Sequence, residues 1–107
     1  MELFKHAEIF RFDAKVDYSP GGVVSKQVLK NEKGNVTLFA FAKDEGLSEH
    51  TAPFDALIQV IEGESRVIIG GEPFDLKAGE SIIMPAGIPH ALKATEAFKM
   101  ILTMIKA

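Results

Sequence analysis

The chain has 107 residues, of which 47% are hydrophobic and 25% charged, and its formal net charge at pH 7 is -3. This size and composition indicate one globular domain and exclude a disordered chain. The mildly acidic balance offers no basic patch for nucleic acid and no polybasic stretch for a membrane surface. No apolar run reaches the roughly 20 residues of a membrane helix, and cysteine is absent. We therefore expect a cytoplasmic protein without disulfides or thiolate metal sites.

An amino-terminal arm is predicted over residues 1–22, which end at the turn Ser19-Pro20-Gly21-Gly22. Beyond the arm, short segments rich in Val, Ile and Phe alternate with turns that contain glycine. These segments predict strands at 23–30, 36–43, 56–61, 65–69, 73–76, 81–84, 89–93 and 97–105. Short strands with frequent turns are typical of a sandwich or barrel, so the predicted fold class is all-β.

Several predicted strands are apolar on both faces, among them 36–42 and 98–105. One face would fill the interior of a barrel, and the other face needs a second cover. We therefore expect a homodimer. In it the arm, with Ile9, Phe10 and Phe12, would pack against the sheet of the neighbouring subunit.

Four glycines occupy turns where the backbone often needs a positive φ angle: Gly63, Gly71, Gly79 and Gly87. An alanine at such a position costs roughly 1 kcal/mol or more of folding free energy. We expect these glycines to serve backbone geometry rather than ligand contact.

Two of the three histidines are candidates for a functional site. His6 lies in the polar part of the arm, where an ordinary surface position is expected. His50 and His90 instead stand beside apolar strands, next to turns that contain Pro53 and Pro85.

These turns resemble the two signature motifs of the cupin superfamily. Gly79, Pro85, Gly87 and His90 have the spacing of the second motif, and His50 and Gly63 have the separation required by the first. Together the motifs cover residues 46–94. The resemblance implies a single-domain cupin, a β-barrel of jelly-roll type. The run from Thr51 to Leu57 is similar to a group of small cupins that carries no assigned reaction.

The same resemblance implies a degraded metal site. Metal-binding cupins use three imidazoles and one carboxylate, a set that suits iron, manganese, nickel or zinc. Ala52 stands in place of the second histidine and Ala56 in place of the glutamate, which leaves His50 and His90. Ala94 also replaces the asparagine of the second motif. Catalytic zinc sites ordinarily use three protein ligands and a water, so any divalent metal is expected to be weakly held or absent.

Three functions remain open. The first is binding of a small organic ligand in the barrel through His50 and His90, with Met84 lining the cavity. The second is a metal-dependent enzyme of the dioxygenase, isomerase or decarboxylase type, whose site is completed by water, Asp55 or substrate. The third, ranked last, uses a histidine as general base without metal, which needs an orienting carboxylate.

Asp55 and two further methionines have alternative interpretations. Asp55 either bonds nearby backbone amides in a turn or points inward as a carboxylate partner for a histidine. Met100 and Met104 are expected to serve packing.

Overall fold

The computed structural model describes residues 3–107, and this part of the chain forms nine strands in two antiparallel sheets. The strands are β1 (Val23–Asn31), β2 (Gly34–Phe41), β3 (Gly46–His50), β4 (Phe54–Glu62), β5 (Glu64–Ile69), β6 (Glu72–Lys77), β7 (Ser81–Met84), β8 (His90–Lys93) and β9 (Phe98–Lys106). One sheet has the order β1-β2-β9-β4-β7 and the other the order β3-β8-β5-β6. The predicted all-β barrel of jelly-roll type is confirmed. Within residues 3–107 no helix is long and apolar enough to cross a membrane.

All eight predicted strands are present, with ends that agree to within two residues. Strand β3 was not predicted. Its sequence, Gly-Leu-Ser-Glu-His, has Leu47 as its one large apolar residue, and most of its residues are exposed. Pairing with β8 makes this segment a strand, so tertiary contact decides its conformation where local propensity does not.

The barrel interior is filled by alternate residues of the facing sheets, as the period of two in a strand requires. Ala56, Ile58 and Val60 of β4 point inward and are at most 4% exposed. At one end the rings of Phe41 and Phe98 stack with their centroids 4.6 Å apart. The core therefore closes this end of the barrel.

The outer face of the five-stranded sheet is partly covered by the chain's own arm. Val16 of the arm is buried together with Leu38 and Ile101 of the sheet, and Phe4 and Phe12 pack against this cluster. The sequence predicts that a neighbouring subunit provides this cover, whereas in the structure the arm packs against the sheet of its own chain. The arm reaches its own sheet because the turn at residues 19–22 folds it back beside β1.

A polar contact fixes the arm to β9. The Nζ atom of Lys99, a residue only 8% exposed, donates to the backbone oxygen of Asp13 at 2.9 Å and lies 3.7 Å from the Glu62 carboxylate. Tyr18 donates its hydroxyl hydrogen to the same carboxylate. Burial, and then the bond to Glu62 and its negative charge, raise the pKa of Tyr18. A buried ammonium is tolerated here because it is paired and hydrogen-bonded.

All four turn glycines have the expected positive φ, with values between 75° and 91°. They differ in the space around them. A Cβ atom on Gly63 would lie 1.9 Å from the backbone oxygen of Ala97, whereas a Cβ on Gly71 would meet nothing within 4 Å. Gly63 is therefore required both by conformation and by close packing of backbone.

We expect Gly63→Ala to destabilise the protein much more than Gly71→Ala. Both changes impose the strain of a left-handed conformation, about 1–2 kcal/mol. Each kcal/mol lost lowers the melting temperature of a domain of this size by roughly 4–8 °C. Only Gly63→Ala adds a clash with backbone. Thermal unfolding followed by circular dichroism measures both, and equal losses would contradict the role assigned to the close approach.

Candidate functional site

Strands β3 and β8 bring His50 and His90 together. The two residues are paired across the strands, and their Nε2 atoms lie 3.1 Å apart. The rings meet edge to face, with their centroids 4.3 Å apart. His90 is only 6% exposed, whereas His50 is exposed at the mouth of the barrel. Residues that are 40 positions apart in sequence thus form one polar site.

The second nitrogen of each ring is held by the backbone. Nδ1 of His50 lies 2.7 Å from the oxygen of Ser48, and Nδ1 of His90 lies 3.2 Å from the oxygen of Ile88. A carbonyl oxygen can only accept, so each Nδ1 carries a hydrogen and donates it. In neutral imidazoles both Nε2 atoms are then acceptors whose lone pairs meet at the cavity mouth. Two facing lone pairs repel each other, so the arrangement is stable only if a hydrogen lies between them or a bound group supplies a hydrogen or a positive charge.

The histidine pair opens into a cavity of about 210 Å³ between the two sheets. Apart from the two imidazoles, every side chain that lines it within residues 3–107 is apolar. The lining comprises Phe39, Leu47, His50, Ala52, Ala56, Ile58, Met84, His90, Leu92, Met100, Leu102 and Met104. The cavity is therefore suited to an apolar group, and the two imidazoles offer polar contacts at one end.

Met84, Met100 and Met104 all line this cavity. The sequence predicts this position for Met84, but it predicts packing roles for Met100 and Met104. The period of two could have identified them, because Met100, Leu102 and Met104 alternate along β9 and share its inner face.

Asp55 does not join the histidines. It is exposed, and its Oδ1 accepts a hydrogen bond from the backbone N–H of Ala86 at 3.0 Å. Its neighbour Ala56 occupies the inward position of β4, so Asp55 points to the opposite face of the strand. The interpretation as a turn residue agrees with this geometry, in which the carboxylate does not face the histidines.

The residues present do not fit the divalent metal of a complete cupin site. The Nε2 separation allows both nitrogens to approach one ion at the usual bond length of about 2.0–2.1 Å. However, Ala52 and Ala56 line the cavity without donor atoms. Across residues 3–107, no group of three or more His, Cys, Asp and Glu side chains is arranged to hold a metal.

Comparisons with known proteins agree with this architecture. A family model for the cupin domain matches residues 37–106. An uncharacterised protein from Aquifex aeolicus is 28% identical over 97% of this chain and 88% of its own length.

Two solved structures are similar along most of the chain. A conserved protein of unknown function from Streptococcus pyogenes has a TM-score of 0.94 and 30% identity, over 99% of this chain and 93% of the other. A cupin 2 conserved barrel domain protein from Leptotrichia buccalis has a TM-score of 0.89 and 43% identity over 91% of this chain. The match spans only 47% of that protein. The family match over residues 37–106 and the barrel that carries both motif histidines show that the chain belongs to the cupin domain family.

Proposed function

We propose that the protein binds a small, largely apolar organic molecule in the barrel, with one polar group held by His50 and His90. The supporting observation is an apolar cavity of about 210 Å³ whose polar side chains are these two imidazoles. Ligand sites combine apolar walls with a few placed polar groups. Sites for drug-sized molecules usually measure about 300–1,000 Å³, so this cavity suits a smaller ligand.

The polar group of the ligand should be a hydrogen-bond donor. Both Nδ1 atoms donate to backbone oxygens, so both neutral rings present acceptors at Nε2. A hydroxyl group can donate to one of them. A carboxylate has no hydrogen to donate, and its negative oxygens would face the two acceptor nitrogens without compensation in an apolar cavity.

A second depression is less suited to this role. It measures about 320 Å³ and lies beside the β1–β2 turn, where Lys30, Lys33 and Met104 are among its lining residues. It is more open to solvent than the barrel cavity, and it would bury less of a ligand. We therefore place the organic ligand in the barrel.

A metal-dependent enzyme is the second candidate, favoured by the convergence of the two Nε2 atoms. His50 and His90 would hold the metal, which supplies Lewis-acid chemistry when bound. The available ligands argue against this candidate, because the Asp55 carboxylate accepts a hydrogen bond from the backbone N–H of Ala86 and does not complete the site. For the same reason Asp55 cannot orient a histidine for general-base catalysis without metal.

We also propose a homodimer that covers the rest of the outer face. The arm leaves Ile83 and Ile105 exposed by 64% and 62%. Leu57 is paired with Ile83 across β4 and β7 and belongs to the same face. Contiguous exposed apolar surface commonly marks an interface. In a symmetric dimer this face of one copy would pack against the same face of the other.

Ligand binding is tested by screening small alcohols and phenols with ligand-observed NMR. Ala56→Leu should abolish binding because its side chain fills the cavity. Ala91→Leu adds the same atoms to β8, on the face away from the cavity, and should leave binding unchanged. His90→Phe should weaken binding about tenfold, the value of a lost hydrogen bond of roughly 1–1.5 kcal/mol. Hits that survive Ala56→Leu would place the site elsewhere.

The degraded site predicts weak binding of divalent metals. After dialysis against a chelator, elemental analysis should find much less than one metal per chain. The double change Ala52→His, Ala56→Glu supplies an imidazole and a carboxylate, and it should restore stoichiometric binding. If the unchanged protein keeps one metal per chain through chelator treatment, the second candidate replaces the first.

The homodimer predicts a solution mass of twice 11.7 kDa. Ile83→Lys should shift the protein to monomer because it places a charge in the interface core. Ser81→Lys introduces the same charge on the same face of β7, at a position that is already polar, and should have less effect. Light scattering at micromolar concentration measures all three, and a monomeric unchanged protein would refute the proposal.

A further inference from the structure

We propose that the cavity mouth also binds a soft monovalent cation, Cu(I), through the imidazoles of His50 and His90 and the thioethers of Met84 and Met104. This site goes beyond the organic ligand proposed above and does not depend on it. No part of the resemblance to complete cupin metal sites assigns these methionines.

The strand register places the two thioethers on either side of Ala56. Ala56 is the partner of Met84 on β7 and of Met104 on β9. Directly opposite residues have Cβ atoms about 4.5–5.5 Å apart, so both methionines flank the alanine on the inner face. The small side chain of Ala56 leaves the space between them free.

The imidazoles face these methionines across the barrel. All four side chains line the same cavity, and facing sheets lie about 10 Å apart. A methionine has three rotatable bonds that let its sulfur adapt to a partner. Met84 is only 3% exposed and lines the cavity, so its side chain is shielded from bulk solvent.

The donor types favour copper in its reduced form. Thioether sulfur is a soft ligand that selects Cu(I), and imidazole also suits copper. Manganese and magnesium favour carboxylate and other oxygen donors, and non-haem iron sites combine two imidazoles with a carboxylate. Here Ala56 occupies the carboxylate position and Asp55 is bonded to Ala86.

In the part of the chain that the structure describes, the absence of charged side chains in the lining also favours a monovalent ion over a divalent one. The lining side chains within residues 3–107 carry no negative charge. The cost of moving an ion out of water grows with the square of its charge, so an uncompensated divalent ion is penalised about fourfold more than a monovalent one. A neutral site in an apolar cavity therefore discriminates in favour of a single charge.

The imidazoles are already oriented to bind an ion. Metal-ligating histidines usually donate their second ring N–H to a backbone oxygen or carboxylate. Ser48 and Ile88 provide those oxygens for His50 and His90. No change of tautomer is needed for both Nε2 atoms to act as ligands.

The test is competition for Cu(I) with a coloured chelator, bathocuproine disulfonate, under anaerobic conditions with ascorbate. Metal-free protein should remove one Cu(I) per chain from the chelator, and Ag(I), a redox-inert ion of the same charge, should bind at the same stoichiometry. Zn(II), measured with its own chromophoric chelator, should bind more weakly than Cu(I). Met84→Leu and Met104→Leu should each lower the Cu(I) affinity by roughly tenfold or more.

Met100→Leu is the matched control, because Met100 lies on the same inner face of β9 but farther from Ala56, paired with Val60. These exchanges nearly conserve volume and are well tolerated in cores, and thermal unfolding checks that each variant is folded. Equal losses of Cu(I) affinity in all three variants, Zn(II) binding as tight as Cu(I), or no Cu(I) capture would each overturn the inference. Binding of organic ligands to metal-free protein is measured separately, so either proposal can fail while the other stands.

Discussion

The register of β9 is the constraint on which both faces of the larger sheet depend. This strand lies between β2 and β4, and Met100, Leu102 and Met104 point into the barrel from its inner face. Lys99 and Ile101 alternate with them and meet the arm. A slip by one residue would bury the Lys99 ammonium in the apolar barrel and turn the thioethers outward. Core, cavity and arm therefore share one alignment of hydrogen bonds.

The amino-terminal arm covers part of the outer face of the larger sheet. Apolar residues on both faces of a strand indicate that a cover exists, but they do not say which segment provides it. The chain provides part of the cover itself, through Val16 and the aromatic residues around Phe12. The contact of Lys99 with Asp13 and Glu62 then selects one position of the arm, because a buried ammonium needs its specific partners.

Local patterns predicted eight of the nine strands, and the resemblance to the two cupin motifs implied that His50 and His90 share one barrel. They failed where a contact distant in sequence decides the outcome. Strand β3 is polar, and its pairing with β8 makes it a strand. For Asp55 the sequence leaves two interpretations open, and the hydrogen bond from the backbone N–H of Ala86, 31 residues away, distinguishes them. The inner face of β9 was recognisable by its alternation, yet its function as a cavity wall depends on the facing sheet, which one strand cannot reveal.

Ala52 and Ala56 line the cavity and provide neither a third imidazole nor a carboxylate. The barrel keeps its opening, its apolar walls and two oriented imidazoles, but it lacks the carboxylate that would balance a divalent ion. His90 is buried, and its Nε2 atom lies 3.1 Å from that of His50. With both Nε2 atoms as acceptors, the buried Nε2 of His90 needs a shared hydrogen, a water or a ligand, because an unsatisfied buried acceptor costs about 1–3 kcal/mol. The two imidazoles therefore act as a unit, because a hydrogen or a cation placed between their Nε2 atoms would satisfy both lone pairs.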